Sequence, residues 1–264
     1  MGKIIAVSNQ KGGVGKSTTV VNLAAALGGK GKKVLVIDSD IQGNATTSFG
    51  IKKRNIQNTT YEVLIGEARI ADCIVKTAFK NVSIVPAAQK LAGAEIELNN
   101  LDNKLLRLKM QLLTVKPNYD YILIDTPPSL GLLTLNALAT ADSVIIPIQC
   151  EFLSLEGLVQ INDTIKRMRQ SYNPSLEIEG ILYTMYVGRY NVTAQVAQEV
   201  EKYFPNKVFK TVIPRNIALS EAPSHGKPIM YYDVRSKGAE SYMALCKELL
   251  SREKKAKKDI GGLI

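Results

Sequence analysis

"KIIAVSNQKGGVGKSTTVVNLAAAL", residues 3–27, decides the fold. Ile4-Ile5-Ala6-Val7 is a continuous apolar run, as a strand covered on both faces is. A loop with three glycines follows at 9–15, and Lys16 opens a stretch with helical pattern over 16–29. Strand, glycine loop and helix N-terminus form the context in which Gly-Lys-Ser reads as a phosphate-binding loop rather than a helix-capping turn. Gly12, Gly13 and Gly15, with Val14 between them, let successive backbone N–H groups turn toward one anion. The helix N-terminus adds its partial positive charge. In such a loop Lys16 reaches the β- and γ-phosphates, the Ser17 hydroxyl binds Mg²⁺ and Thr18 reaches an α-phosphate oxygen. The expected ligands are therefore a nucleoside triphosphate and Mg²⁺.

Outward from this unit, β-rich runs alternate with helical stretches. Strands are predicted at 4–7, 34–38, 82–85, 120–125, 143–148, 180–184 and 208–213. Helices are predicted near 16–29, 89–116, 130–140, 154–171, 192–203 and 237–251. The alternation implies an α/β fold, a mostly parallel twisted sheet with helices on both faces. No Gly-, Pro- or Ser-rich linker divides the chain, so one domain over 1–251 is expected, with a basic, flexible tail over 252–264. Residues 91–112 carry apolar positions at steps of three and four, from Leu91 to Leu112. That spacing suits a coiled-coil seam, but inside a globular domain a helix packed on the sheet is preferred.

The composition of the 264 residues narrows the chemistry. Three cysteines, Cys73, Cys150 and Cys246, stand far apart without a CxxC pair, which suits reduced thiols in a cytoplasmic protein. One histidine, His225, rules out a multi-histidine metal centre. No segment resembles a signal peptide, and no apolar run is long enough to span a bilayer. The net charge is +10, which fits a polyanionic partner as well as a solvated basic surface.

Hydrolysis needs carboxylates near Mg²⁺ and a group that places water. "YILIDTPPS" at 121–129 ends a strand in Asp125, beside the loop, where a metal-facing aspartate belongs. "VLVIDSDIQGN" at 34–44 supplies Asp38 at a strand end and Asp40 two residues on, pointing the same way if the chain stays extended. Taken alone, such aspartates shape turns as often as they catalyse.

One residue departs from the usual GxxxxGK[ST] pattern. Position 10 is Gln10, and the loop continues Lys11-Gly12-Gly13. This loop resembles the deviant Walker A loop of the ParA/MinD class of P-loop ATPases. The longer stretches "LAGAEIEL", "YDYILIDTPPSLGLLTLNAL", "PIQCEFLSLEGL" and "VIPRNIALSEAPSHGKPI" are most similar to the chromosomal ParA (Soj) branch. The resemblance implies that Lys11 crosses a dimer to the partner's phosphates, as a finger supplied in trans. It implies catalytic roles for Lys11, Lys16, Asp38 and Asp40, with Asp40 tied to water activation, and metal binding by Ser17 and Asp125. Pro214 and Asn216 would contact adenine, and Glu151 and Glu156 would face the dimer seam or lie exposed on a helix.

It further implies an ATP-dependent homodimer that binds double-stranded DNA without sequence preference on the nucleoid, with hydrolysis stimulated by a ParB/Spo0J-type protein. Arg189 matches a DNA-contact position. A second such position is Ala218 here, and Lys227, Arg235 and Lys237 could compensate. Ile41 stands where the family often has proline, which loosens the backbone of that loop. The chain starts at the phosphate-loop strand, so an N-terminal operator-binding domain is not expected. The alternative is a MinD-like membrane ATPase. It would need an apolar amphipathic tail, and "SREKKAKKDIGGLI" offers only Ile260, Leu263 and Ile264.

Overall fold

The computed structural model describes residues 2–151, 154–188 and 191–261. Seven strands, β1 (Lys3–Val7), β2 (Val34–Asp38), β3 (Val75–Lys76), β4 (Val82–Val85), β5 (Tyr121–Asp125), β6 (Ser143–Gln149) and β7 (Glu177–Thr184), form one sheet in the order β3-β4-β2-β5-β1-β6-β7. All pairings are parallel except that of β3, a two-residue edge strand antiparallel to β4. The helices are α1 (Lys16–Gly29), α2 (Asn44–Ser48), α3 (Thr60–Ile65), α4 (Leu91–Asn99), α5 (Arg107–Val115), α6 (Leu132–Thr140), α7 (Ser154–Ser171), α8 (Asn191–Tyr203), α9 (Ile217–Glu221), α10 (Ile229–Tyr232) and α11 (Lys237–Gly261).

The period-2 alternation of the strands feeds two cores. Ile5, Val7, Val34 and Val36 pack with residues of α1 and α11 on one face. Ile4, Ala6, Leu35 and Ile37 pack with residues of α4 to α8 on the other. Both faces are covered, which is why these strands read as unbroken apolar runs. The register puts Val7 opposite Asp125 and Asp125 opposite Asp38. The C-terminal ends of β1, β5 and β2 therefore form one row, with neighbours about 4.8 Å apart. In open parallel sheets ligands bind at this edge.

Three expectations need correction. The helix predicted over 89–116 is two helices, with Asn103 at φ +54° in the connection. The Asn-Asn and Asp-Asn steps between them favour turns. The Asn136 amide donates to the Lys104 carbonyl, and its oxygen accepts from the Leu108 N–H, which ties down the break. The apolar stripe is core: Leu91, Ala94, Leu98, Leu108 and Leu112 are fully buried.

Residues 208–213 run beside β7 without becoming a strand. Phe209 and Ile213 donate to Ile181 and Tyr183, but the Lys210 and Thr211 N–H groups go to the Glu248 carboxylate, each at 2.9 Å. A helix side chain has taken the donors that a ladder would use.

The last correction concerns the C-terminal segment. Helix α11 continues to Gly261. Arg252 donates to the Val208 carbonyl (2.6 Å) and Glu248 (2.7 Å), and its guanidinium lies 4.2 Å from the centre of the Phe209 ring. Glu253 accepts from the Tyr121 hydroxyl (2.5 Å) and pairs with Lys3 (3.1 Å). Arg252 and Glu253 thus belong to the folded body and not to a loose tail. Arg252→Ala should lower stability by about 1–2 kcal/mol, read as a fall in the urea midpoint at unchanged slope. An unchanged midpoint would show that this anchor contributes nothing.

Candidate functional site

The loop between β1 and α1 is shaped by glycines where the backbone needs them. Gly13 and Gly15 have φ of +72° and +85°, and Gly15 is the N-cap of α1 without a side-chain cap. The first N–H groups of α1 are left for a ligand. The loop is held from outside. The Asn9 amide donates to the Pro147 carbonyl (2.7 Å), and its oxygen accepts from the Lys11 N–H (3.0 Å). The Thr184 hydroxyl contacts the Val14 carbonyl (2.9 Å), and the Gln149 amide donates to the Gly13 carbonyl (3.2 Å). Pro128, in the turn after β5, sits against Gly12.

The two loop lysines have different destinations. Lys16 is buried, and its ammonium donates to the Lys11 carbonyl at 3.0 Å, inside the loop. Burial pushes its pKa below the ordinary lysine value, and Asp125 and Asp40 pull in the opposite sense. Lys11 points out of the loop. Its ammonium pairs with Glu151 Oε2 at 2.8 Å and reaches Ser154 Oγ at 3.5 Å. Both members of the pair are accessible, at 32% and 56% side-chain exposure.

The carboxylates also divide. Asp38 is buried and fully used by the chain: one oxygen accepts from the Thr46 N–H (2.7 Å) and hydroxyl (2.6 Å), the other from the Asp40 N–H (3.2 Å). It therefore ties α2 to the strand end. Asp40 is buried too, but its carboxylate is engaged only at Oδ1, by the Gln42 N–H at 3.0 Å. The chain turns back directly after it, with the Gly43 N–H on the Asp40 carbonyl. Lys53 donates to the Gln42 carbonyl and braces this turn.

Asp125 is the exception among the three. It is fully buried, and neither of its carboxylate oxygens has a partner in good hydrogen-bond geometry, although the Ser17 hydroxyl and Lys16 lie near enough to oppose part of the rise in its pKa. Burial first, and then the neighbouring charge of Asp38, push its pKa well above the usual carboxylate range. Burial likewise raises Asp38, to about 6. An orphaned buried carboxylate beside a helix N-terminus, with the half-buried Ser17 hydroxyl opposite, is a donor set that fits a hard divalent cation.

Pro214 and Asn216 line a cavity of about 230 Å³ together with Gly15, Thr18, Met185, Leu219 and Tyr242. The cavity thus joins the phosphate loop to the expected adenine residues. Asn216 differs from expectation in one respect. Its side-chain oxygen caps α9 by accepting from the Leu219 N–H at 3.3 Å, which leaves its amide N–H groups for a base edge. Lys227, Arg235 and Lys237 are exposed and form no ion pair with a described residue. Arg189 lies outside the described residues. Glu156 is exposed on the first turn of α7. Among the described residues no helix is long and apolar enough to cross a membrane.

Sequence reasoning did not find Asn9, Thr46, Gln149, Thr184 or Met185. Asn9 stands inside the first quoted stretch and Thr46 two residues beyond Asn44, where a short polar side chain near a glycine turn is a signal for local hydrogen bonding. The other three are brought in by β6 and β7 and carry no local signal.

Residues 2–178 match a family model described as an AAA domain. The chain is 55% identical over 249 residues to the sporulation initiation inhibitor protein Soj of Bacillus subtilis (strain 168), covering 94% of this chain and 98% of that one. It is 52% identical over 253 residues to the chromosome partitioning protein ParA of Myxococcus xanthus (strain DK1622), covering 96% and 89%. Among solved structures, cobyrinic acid a,c-diamide synthase from Mycobacterium smegmatis with bound ADP and magnesium aligns at a TM-score of 0.85 and 36% identity over 96% of both chains.

The unpaired carboxylate generates a test. With pKa values raised in the folded state, Asp125 and Asp38 hold protons that the unfolded chain has lost. The stability they contribute is complete below the unfolded value near 4 and is lost as pH rises through about 6 and beyond. Asp125→Asn should stabilise the nucleotide-free protein by about 1–3 kcal/mol at pH 8 and flatten its fall in Tm from pH 5 to 8. The same variant should lose most of the Tm gain that Mg²⁺ and ATP give the wild type. A variant less stable than the wild type at pH 8 would refute the assignment of Asp125 as an uncompensated charge.

Proposed function

The chain belongs to the Soj/ParA family of P-loop ATPases, and on that premise we propose that it hydrolyses ATP as a face-to-face dimer in which each chain lends Lys11 to its partner's nucleotide. The ATP-bound dimer binds double-stranded DNA without sequence preference. Hydrolysis, stimulated by a ParB-type protein, releases it. The repeated cycle segregates or positions DNA.

The observation that carries this reading is the outward course of Lys11. Lys16 already occupies the loop interior, so a second lysine is not needed there. Lys11 instead rests on an accessible carboxylate at the mouth, from which it can leave at little cost. Two facing triphosphates bring like charge to a seam, and a lysine crossing from each side offsets it. Lys16, the free N–H groups of α1 and Thr18 would hold the phosphates, and Pro214 and the Asn216 amide the base. Ser17 and Asp125 would hold Mg²⁺, which supplies charge neutralisation of the phosphates as the terminal bond breaks. Asp40, with one oxygen free, would orient the attacking water. Asp38 positions Asp40 and α2 and does not itself meet the nucleotide.

DNA binding rests on the net charge of +10 and on Lys227, Arg235 and Lys237, exposed near the C-terminal part of the chain; two subunits would combine such residues into one strip against phosphates. The same composition and family support a cytoplasmic, nucleoid-associated protein.

Lys11→Ala tests the reading. It should bind ATP within about threefold of the wild type, because Lys16 and the loop N–H groups remain. It should fail to dimerise with ATP by sedimentation, and fail to retain DNA. A Lys11→Ala protein that still forms the ATP-dependent dimer would contradict the proposal.

A further inference from the structure

The residue that follows strand β7 has a backbone unusual for its type. Met185 has φ of +49°, the left-handed region that side-chain-bearing residues avoid. Residues held there against preference concentrate at ligand sites, where the surrounding structure over-determines them. The surroundings of Met185 do so from both sides. Before it, the Thr184 hydroxyl lies 2.9 Å from the Val14 carbonyl and 3.1 Å from that of Ile148. After it, the Tyr186 N–H donates to the Ile213 carbonyl at 3.0 Å, which leads the chain alongside Pro214.

The side chain is fixed as well. The Gln149 amide donates to Met185 Sδ at 3.0 Å, and the same nitrogen donates to the Gly13 carbonyl at 3.2 Å. One glutamine therefore joins the phosphate loop to the thioether. Met185 lines the 230 Å³ cavity that runs from Gly15 and Thr18 to Pro214 and Asn216. Its other apolar walls are Ile213, Leu219, Pro223 and Tyr242. A flat aromatic ring entering this space meets a polarizable sulfur held at a set position, and sulfur–aromatic contacts are favourable.

We propose that Met185 is a specificity-determining residue of the nucleotide site: its thioether, aimed by the left-handed backbone and the Gln149 bond, packs against the base of the bound nucleotide. This rests on the ATP reading above and adds to it a residue that selects for the base and not for the phosphates. The preference for a base-bearing ligand then arises just past the end of β7, outside the glycine loop.

The test measures binding of Mg²⁺·ATP and of Mg²⁺·tripolyphosphate, which lacks base and sugar, by calorimetry. Met185→Gly suits the observed φ, so it should fold with a Tm equal to or above that of the wild type. It should weaken ATP about tenfold and leave tripolyphosphate within about twofold. Met185→Asn, which also tolerates the left-handed region, should behave like Met185→Gly. Met185→Leu, which keeps the bulk, should hold ATP within about threefold. If Met185→Gly binds ATP like the wild type, or loses tripolyphosphate in equal measure, the proposal is overturned while the ATP reading stands. If the wild type binds ATP no better than tripolyphosphate, the ATP reading itself fails.

Discussion

The site depends on two carboxylates forced into one row by parallel strand register. Asp38 and Asp125 end adjacent strands, opposite one another, with no exposure to solvent. Only Asp38 is hydrogen-bonded, by Thr46 and Asp40. Asp125 is left with two orphaned oxygens beside a like charge. A buried pair of this kind is costly unless a cation arrives. The sheet thus holds at its C-terminal edge an electrostatic deficit that the folded chain alone does not settle. Lys16 answers part of it and is itself pulled down by burial. The site is built for a positively charged visitor accompanied by an anion, which describes a metal–nucleotide complex.

The rest of the architecture keeps this arrangement rigid and links it to the surface. Asn9, Gln149 and Thr184 hold the glycine loop from strands β6 and β7. Thr46 holds α2 to Asp38 from one side and accepts the Ala87 N–H on the other. The glycine loop and the carboxylate row are therefore positioned by side chains from other elements. Lys11 is the exception, a long side chain with one exposed partner. An accessible ion pair is a weak hold, which is what the proposed crossing of Lys11 into a partner's site requires.

Much of this was legible in the sequence because the decisive signals are local. Strand, glycines and Lys16-Ser17 follow one another within a few residues, and each names its own backbone conformation. The six parallel strands were readable because burial on both faces makes them largely uninterrupted apolar runs. The edge strand β3 was not, since two residues carry no period. Residues 208–213 have strand-like composition, yet a carboxylate from α11, far along the chain, takes two of their donors. The fixed C-terminal segment was hidden for the same reason: Arg252 and Glu253 read as part of a charged tail until their partners Val208, Phe209, Tyr121 and Lys3 are known. In the site, Asp40 and Asp38 were found as a pair, but the difference in their hydrogen bonding was not. It depends on Thr46, which reaches back over a turn. Met185 offered no signal, because a left-handed methionine looks like any other in one dimension.

The central claim is that Lys11 acts on the partner's nucleotide, and mixing two inactive variants addresses it most directly. Lys11→Ala and Asp40→Ala proteins, carrying different tags, would be combined with ATP, Mg²⁺, DNA and the ParB-type partner. In a mixed dimer, the site on the Lys11→Ala chain keeps its own Asp40 and receives Lys11 from the other chain. The account predicts that ATPase activity, nearly absent in each variant alone, reappears in the mixture in proportion to mixed dimers captured through both tags. Captured mixed dimers without recovered activity would contradict it.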